Sequence, residues 1–108
     1  MAATAPATVA VAAVSDLPPG AMLTVTVQGQ PVVVANLDGD LVAVDGQCPH
    51  AAGPLGKGEI VDGCLLRCPW HGSRFNLRAG TVEAGPARKP APAHDVRVDA
   101  GPILLTLR

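Results

Sequence analysis

The feature that most constrains this chain is its punctuation: short apolar runs, rich in Val, Ala and Leu, are broken every few residues by turn formers. Val9 to Val14 ends at Ser15-Asp16-Leu17-Pro18-Pro19-Gly20, and Met22 to Val27 ends at Gln28-Gly29-Gln30-Pro31. Val32 to Ala35 ends at Asn36-Leu37-Asp38-Gly39-Asp40, after which Leu41 to Val44 follows. Strands of that length, with reversals that close together, predict an antiparallel meander. The 11 Pro and 12 Gly, more than a fifth of the 108 residues, work against long helices. No segment holds a 3.6-residue period over three turns.

The stretch 46–88 reads differently. Gly and Pro are dispersed through it, with strand candidates only at Glu59–Val61, Leu65–Arg67 and Arg74–Leu77. Two further strands, Asp95–Val98 and Ile103–Leu107, flank the turn Asp99-Ala100-Gly101-Pro102. The expectation is a single domain over 1–108 with a loop-built part at about 46–88. Its core must come from aliphatic side chains, because Trp70 and Phe75 are the only aromatics. A small core of that kind gains from a metal staple.

Net charge is −1, which gives no reason to expect nucleic acid or an anionic membrane as partner. The distribution is uneven: Asp16, Asp38, Asp40 and Asp45 stand in 1–56 without any Lys or Arg, and all eight basic residues follow from Lys57 onward. No apolar run approaches the ~18 residues of a spanning helix. The opening MAATAPATVAVAAV has no Lys or Arg for a secretory n-region and reads as a tail entering the first strand, so a cytoplasmic location is expected. Three cysteines, an odd number, suit metal or spare thiols better than a disulfide scaffold.

Chemistry concentrates in Cys48-Pro49-His50 and Cys68-Pro69-Trp70-His71, with seventeen residues between His50 and Cys68. Each group offers one soft thiolate and one imidazole at the end of a short strand. Pro49 and Pro69 stiffen the loops. A zinc site would usually group Cys with Cys and His with His. A mixed pair on each loop instead suits a two-iron cluster, one iron held by the cysteines and the other by the histidines. Zinc stays open as the alternative on the ligand set alone.

These residues, continued through Gly72-Ser73-Arg74-Phe75, resemble the cluster-binding signature of the Rieske family, in particular the small Rieske-type ferredoxins of bacterial aromatic-ring dioxygenase systems. Leu17-Pro18-Pro19-Gly20 and Val96-Arg97-Val98…Gly101 extend the likeness over nearly the whole chain. The resemblance implies an all-β fold, a Rieske-like antiparallel β-sandwich with a small loop-rich cluster-binding subdomain. It implies a [2Fe–2S] cluster held by Cys48, His50, Cys68 and His71, the cysteines on the inner iron and the histidines on the outer. It also implies a one-electron carrier, not itself an enzyme, that takes electrons from a flavin-dependent ferredoxin reductase and delivers them to a terminal oxygenase. Alternatives are the small electron-transfer subunit of a nitrite or arsenite oxidoreductase and a zinc-binding interaction module.

The chain departs from the respiratory members of the family. Their two loops are tied by a disulfide at positions that here are Gly53 and Trp70, and Phe75 stands where they tend to have Tyr. Ser73 is retained. Hydrogen bonds to sulfur favour the reduced state, so with Phe75 lacking a hydroxyl and no disulfide between the loops the potential is expected towards the lower end of a range of about −150 to +300 mV. Extra negative charge on reduction raises the pKa of a ligating imidazole, so the potential is expected to fall as pH rises through the oxidised-form pKa.

The remaining candidates have plainer readings. Cys64 matches no ligand position and reads as a buried structural thiol. His94 reads as a surface or packing histidine. Trp70 reads as a cover or filler rather than an electron path. Gly85-Pro86-Ala87-Arg88-Lys89-Pro90 resembles the family's proline-containing loop. Arg74, Arg78, Arg88 and Lys89 are candidates for steering an acidic partner.

Overall fold

A computed structural model describes residues 8–47, 54–70, 72–85, 89–98 and 101–106. The strands run β1 (Thr8–Ala13), β2 (Met22–Val27), β3 (Gln30–Leu37), β4 (Asp40–Asp45), β5 (Glu59–Val61), β6 (Leu65–Arg67), β7 (Arg74–Asn76), β8 (Val82–Ala84), β9 (Ala93–Val98) and β10 (Pro102–Thr106). Single 3₁₀ turns, η1 (Val14–Asp16) and η2 (Leu55–Lys57), are the helical elements among the described residues. All strand pairs are antiparallel, in a six-stranded sheet ordered β1-β10-β9-β4-β3-β2 and a four-stranded sheet ordered β5-β6-β7-β8. The all-β antiparallel expectation is met.

Two tight hairpins set the register of the large sheet. Gln28-Gly29 and Asp38-Gly39 all take positive φ, and the closing pairs are Val27–Gln30 and Leu37–Asp40. Paired left-handed residues in a two-residue loop match the right-handed twist of the strands they join. The sequence placed Pro31 in the turn; it lies instead in β3, opposite Thr26. The closing pair of such a hairpin exchanges both bonds, so the next rung makes none towards β2 and a missing N–H leaves no gap there. The Pro31 carbonyl turns the other way and accepts from the Gly46 amide at 2.9 Å.

Strand alternation then builds two cores from one strand. On β3, Val32 and Val34 join Leu17, Val27, Ala43, Ile103 and Leu105, so strands from both ends of the large sheet close over a single cluster. Val33, Ala35 and Leu37 point the opposite way and pack with Val44, Leu55, Leu66, Cys68, Phe75 and Leu77. Burial on both faces explains why Val32 to Ala35 is a continuous apolar run. The second cluster seats the four-stranded sheet on the large one. β8 carries only Val82 as a partly buried hydrophobe, which left no alternating pattern to find in the sequence.

Candidate metal centre

Cys68 follows β6 directly and stands at the base of the β6–β7 loop. Its amide donates to the Ser73 carbonyl at 2.7 Å, and the Gly72 amide donates to the Cys68 carbonyl at 3.1 Å. The loop is therefore closed on itself one step beyond the last rung, Arg67–Arg74. Cys68 is 2% exposed and Ser73 is fully buried, whereas Trp70 is 56% exposed. The Cys68 and Cys64 thiols are both free of disulfide. A cavity of about 300 Å³ borders Cys68, lined by Lys57, Gly58, Glu59, Arg67 and Pro69.

Cys48 and His50, on the first loop, and His71, on the second, lie outside the described residues, as does Gly53. The stem of the first loop is nevertheless defined. Gln47 forms a bridge with Pro54, and the Leu55 amide donates to the Gly46 carbonyl at 2.9 Å, so the chain is pinned on both sides of 48–53. Both ligand-bearing segments thus start and end at backbone-bonded pairs.

The two stems are held against each other. Leu55 and Cys68 share one core cluster. A β-carbon at Gly58 would overlap the Arg67 carbonyl oxygen, so only glycine lets the chain after η2 lie this close to the end of β6. Glu59 then pairs with Arg67 across the strands, and their side chains meet at 3.0 Å.

A free, buried thiol on a self-closed loop, beside a cavity and a second pinned loop bearing one thiol and two-residue-distant imidazole in its sequence, fits a cluster of two irons. The mixed donor set would supply soft ligands for one iron and imidazoles for the other. Cys64, by contrast, is half-buried against the core, with its carbonyl accepting from the Leu77 amide at 2.8 Å. Of the four cations named for steering, Arg74 meets Asp62 at 3.4 Å and Arg78 meets Asp40 at 3.2 Å. Lys89 is exposed, and Arg88 lies outside the described residues with Pro86 and Ala87.

His94 is the residue that sequence reasoning undervalued. It is buried, and its Nε2 lies 2.6 Å from Asp45 Oδ1. Nothing in Ala93-His94-Asp95 signals that partner, because it stands 49 positions earlier and is met only through the β4–β9 pairing.

The sequence model of the Rieske [2Fe–2S] domain matches residues 7–99. The biphenyl dioxygenase ferredoxin subunit of Pseudomonas sp. (strain KKS102) is 32% identical over 92 residues, 85% of this chain and 84% of the relative. The ferredoxin of carbazole 1,9a-dioxygenase from Nocardioides aromaticivorans IC177 superposes with a TM-score of 0.88 at 32% identity, covering 94% of this chain and 98% of that one. A chain in the complex of reduced oxygenase and oxidised ferredoxin of carbazole 1,9a-dioxygenase superposes at 0.86, with 29% identity and 92% of each chain covered.

Proposed function

This chain belongs to the Rieske [2Fe–2S] domain family, and from that membership we propose that Cys48 and Cys68 hold one iron of its cluster and His50 and His71 the other. The family's cofactor is the [2Fe–2S] cluster, and the chain is an electron-transfer component of a dioxygenase-type system rather than a catalyst in its own right. The family assignment displaces the zinc reading of the same four ligands.

The observation that carries the residue assignment is Cys68, buried on the self-closed loop and packed in one cluster with Leu55, the first residue of η2 beyond the other ligand segment. When bound, the cluster supplies one-electron chemistry. The chain's own residues keep Cys68 from water, fix both loop stems by backbone hydrogen bonds, and leave Trp70 exposed beside the site.

The partners we propose are a flavin-dependent ferredoxin reductase as donor and a terminal oxygenase as acceptor, the second supported by the oxygenase–ferredoxin complex of a similar protein. The likeness over most of the chain supports one Rieske domain across 1–108, with its cluster-binding part at about 46–88. No helix of the described residues is long and apolar enough to cross a membrane.

The test is a visible and EPR spectrum of protein purified without oxygen, before and after dithionite. A coloured protein whose reduced form gives the low average g of mixed His/Cys ligation is expected. A colourless, iron-free sample that holds stoichiometric zinc would overturn the reading.

A further inference from the structure

The seam between the two halves of the large sheet is narrow. β4 meets β9 at only two rungs, Ala43–His94 and Val44–Ala93. The next rung falls on Pro92, which accepts from the Asp45 amide at 2.9 Å but has no N–H to return. Residues 43 and 45 share a face of β4, and His94 stands opposite Ala43, so the imidazole reaches diagonally along that face to Asp45. The His94 side chain is 5% exposed; that of Asp45 is 36% exposed and borders a cleft of about 180 Å³ shared with Gly29, Gln30, Pro31 and Gln47.

Asp45 ends β4 three residues before Cys48. Past it, the chain is held by Gly46, whose amide donates to Pro31 and whose carbonyl accepts from Leu55. The limb entering the first ligand loop is thus tied to β3 and to η2 by backbone bonds, to Pro92 just before β9 by one backbone bond, and to β9 itself by the His94 side chain.

We propose that His94, through its hydrogen bond to Asp45, is a positioning residue for the cluster. It supplies the lateral tie that Pro92 cannot, and so fixes the limb from which Cys48 departs. The inference rests on the ligand assignment proposed above.

The experiment compares the full-length loaded protein with His94→Leu, His94→Gln, Asp45→Ala and the His94→Leu/Asp45→Ala double variant. Gln keeps a side-chain N–H that can reach Asp45, and Leu keeps an apolar filling without one. The readouts are the midpoint potential by redox titration and the half-life of the visible bands in excess EDTA. Losing a buried hydrogen bond to a carboxylate is expected to shorten that half-life roughly tenfold in His94→Leu and to shift its potential. His94→Gln restores both, and the double variant is no worse than either single one, as two partners of one interaction require. Equal behaviour of Leu and Gln, whether both resemble wild type or both fail to load, would overturn the inference while leaving the ligand assignment standing. A wild-type protein without the cluster would overturn both.

Discussion

At the scale of single residues, the two described cysteines differ in environment. Cys68 is sealed in at the base of a pinned loop, and Cys64 is half-buried against the core on the β5–β6 connection. Cys68→Ala is therefore expected to abolish the visible spectrum and Cys64→Ser to leave it intact, with iron analysis as the check. Ser73 belongs to the same tight loop and is fully buried, with its carbonyl engaged by the Cys68 amide. A hydroxyl that favours the reduced cluster by about 1 kcal/mol is worth roughly 40 mV for one electron. Ser73→Ala is expected to lower the midpoint potential by about that amount without loss of iron; an unchanged potential would show that the hydroxyl acts elsewhere. The four proposed ligands stand out in the sequence because their residue types and spacing are written locally. His94 was not, since its meaning lies in a partner brought near by strand pairing.

At the scale of elements, the site depends on how closely η2 and the end of β6 approach. Gly58→Ala would place a β-carbon into the Arg67 carbonyl, a rigid backbone atom that cannot swing aside. Overpacking of this kind typically costs about 1–3 kcal/mol. A lower urea midpoint is expected together with faster cluster loss, since the residues displaced adjoin Cys68. A midpoint unchanged from wild type would mean that the two stems are not rigidly joined. The strands that lead to this contact were readable where an apolar run met a strong turn, as at Met22–Val27, Glu59–Val61 and Leu65–Arg67, whose bounds agree. β8 was not, because Val82-Glu83-Ala84 buries too little to show a period. Pro31 misled because proline is a turn former in most contexts, and only the hairpin rung explains its place in a strand. The stretch read as loop-rich with three short strands therefore holds a four-stranded sheet, built from three-residue strands that stand by packing on β3 and β4.

At the scale of the whole molecule, folding bridges the charge segregation along the sequence at one ion pair and neutralises other cations locally. Asp40, from the acid-only half, meets Arg78 at 3.2 Å, while Arg67 and Arg74 pair with Glu59 and Asp62. These side chains are all about half exposed or more, so each pair contributes ~1 kcal/mol or less to stability. Their larger effect is on the field felt by an approaching protein: opposite charges a few ångströms apart cancel beyond a Debye length of about 8–10 Å. Arg74 and Arg78 are thereby weakened as steering groups, and the total charge of −1 adds little. Strongly steered partners lose about 10–10³-fold in association rate as salt screens them. For this chain, electron transfer to the proposed terminal oxygenase is expected to slow by less than about tenfold between about 0.02 and 0.2 M salt. Stopped-flow mixing of reduced carrier with oxidised oxygenase measures this directly. A fall of a hundredfold would place the recognition charge on residues other than these pairs, and a small one would leave contact around the exposed Trp70 as the main source of affinity.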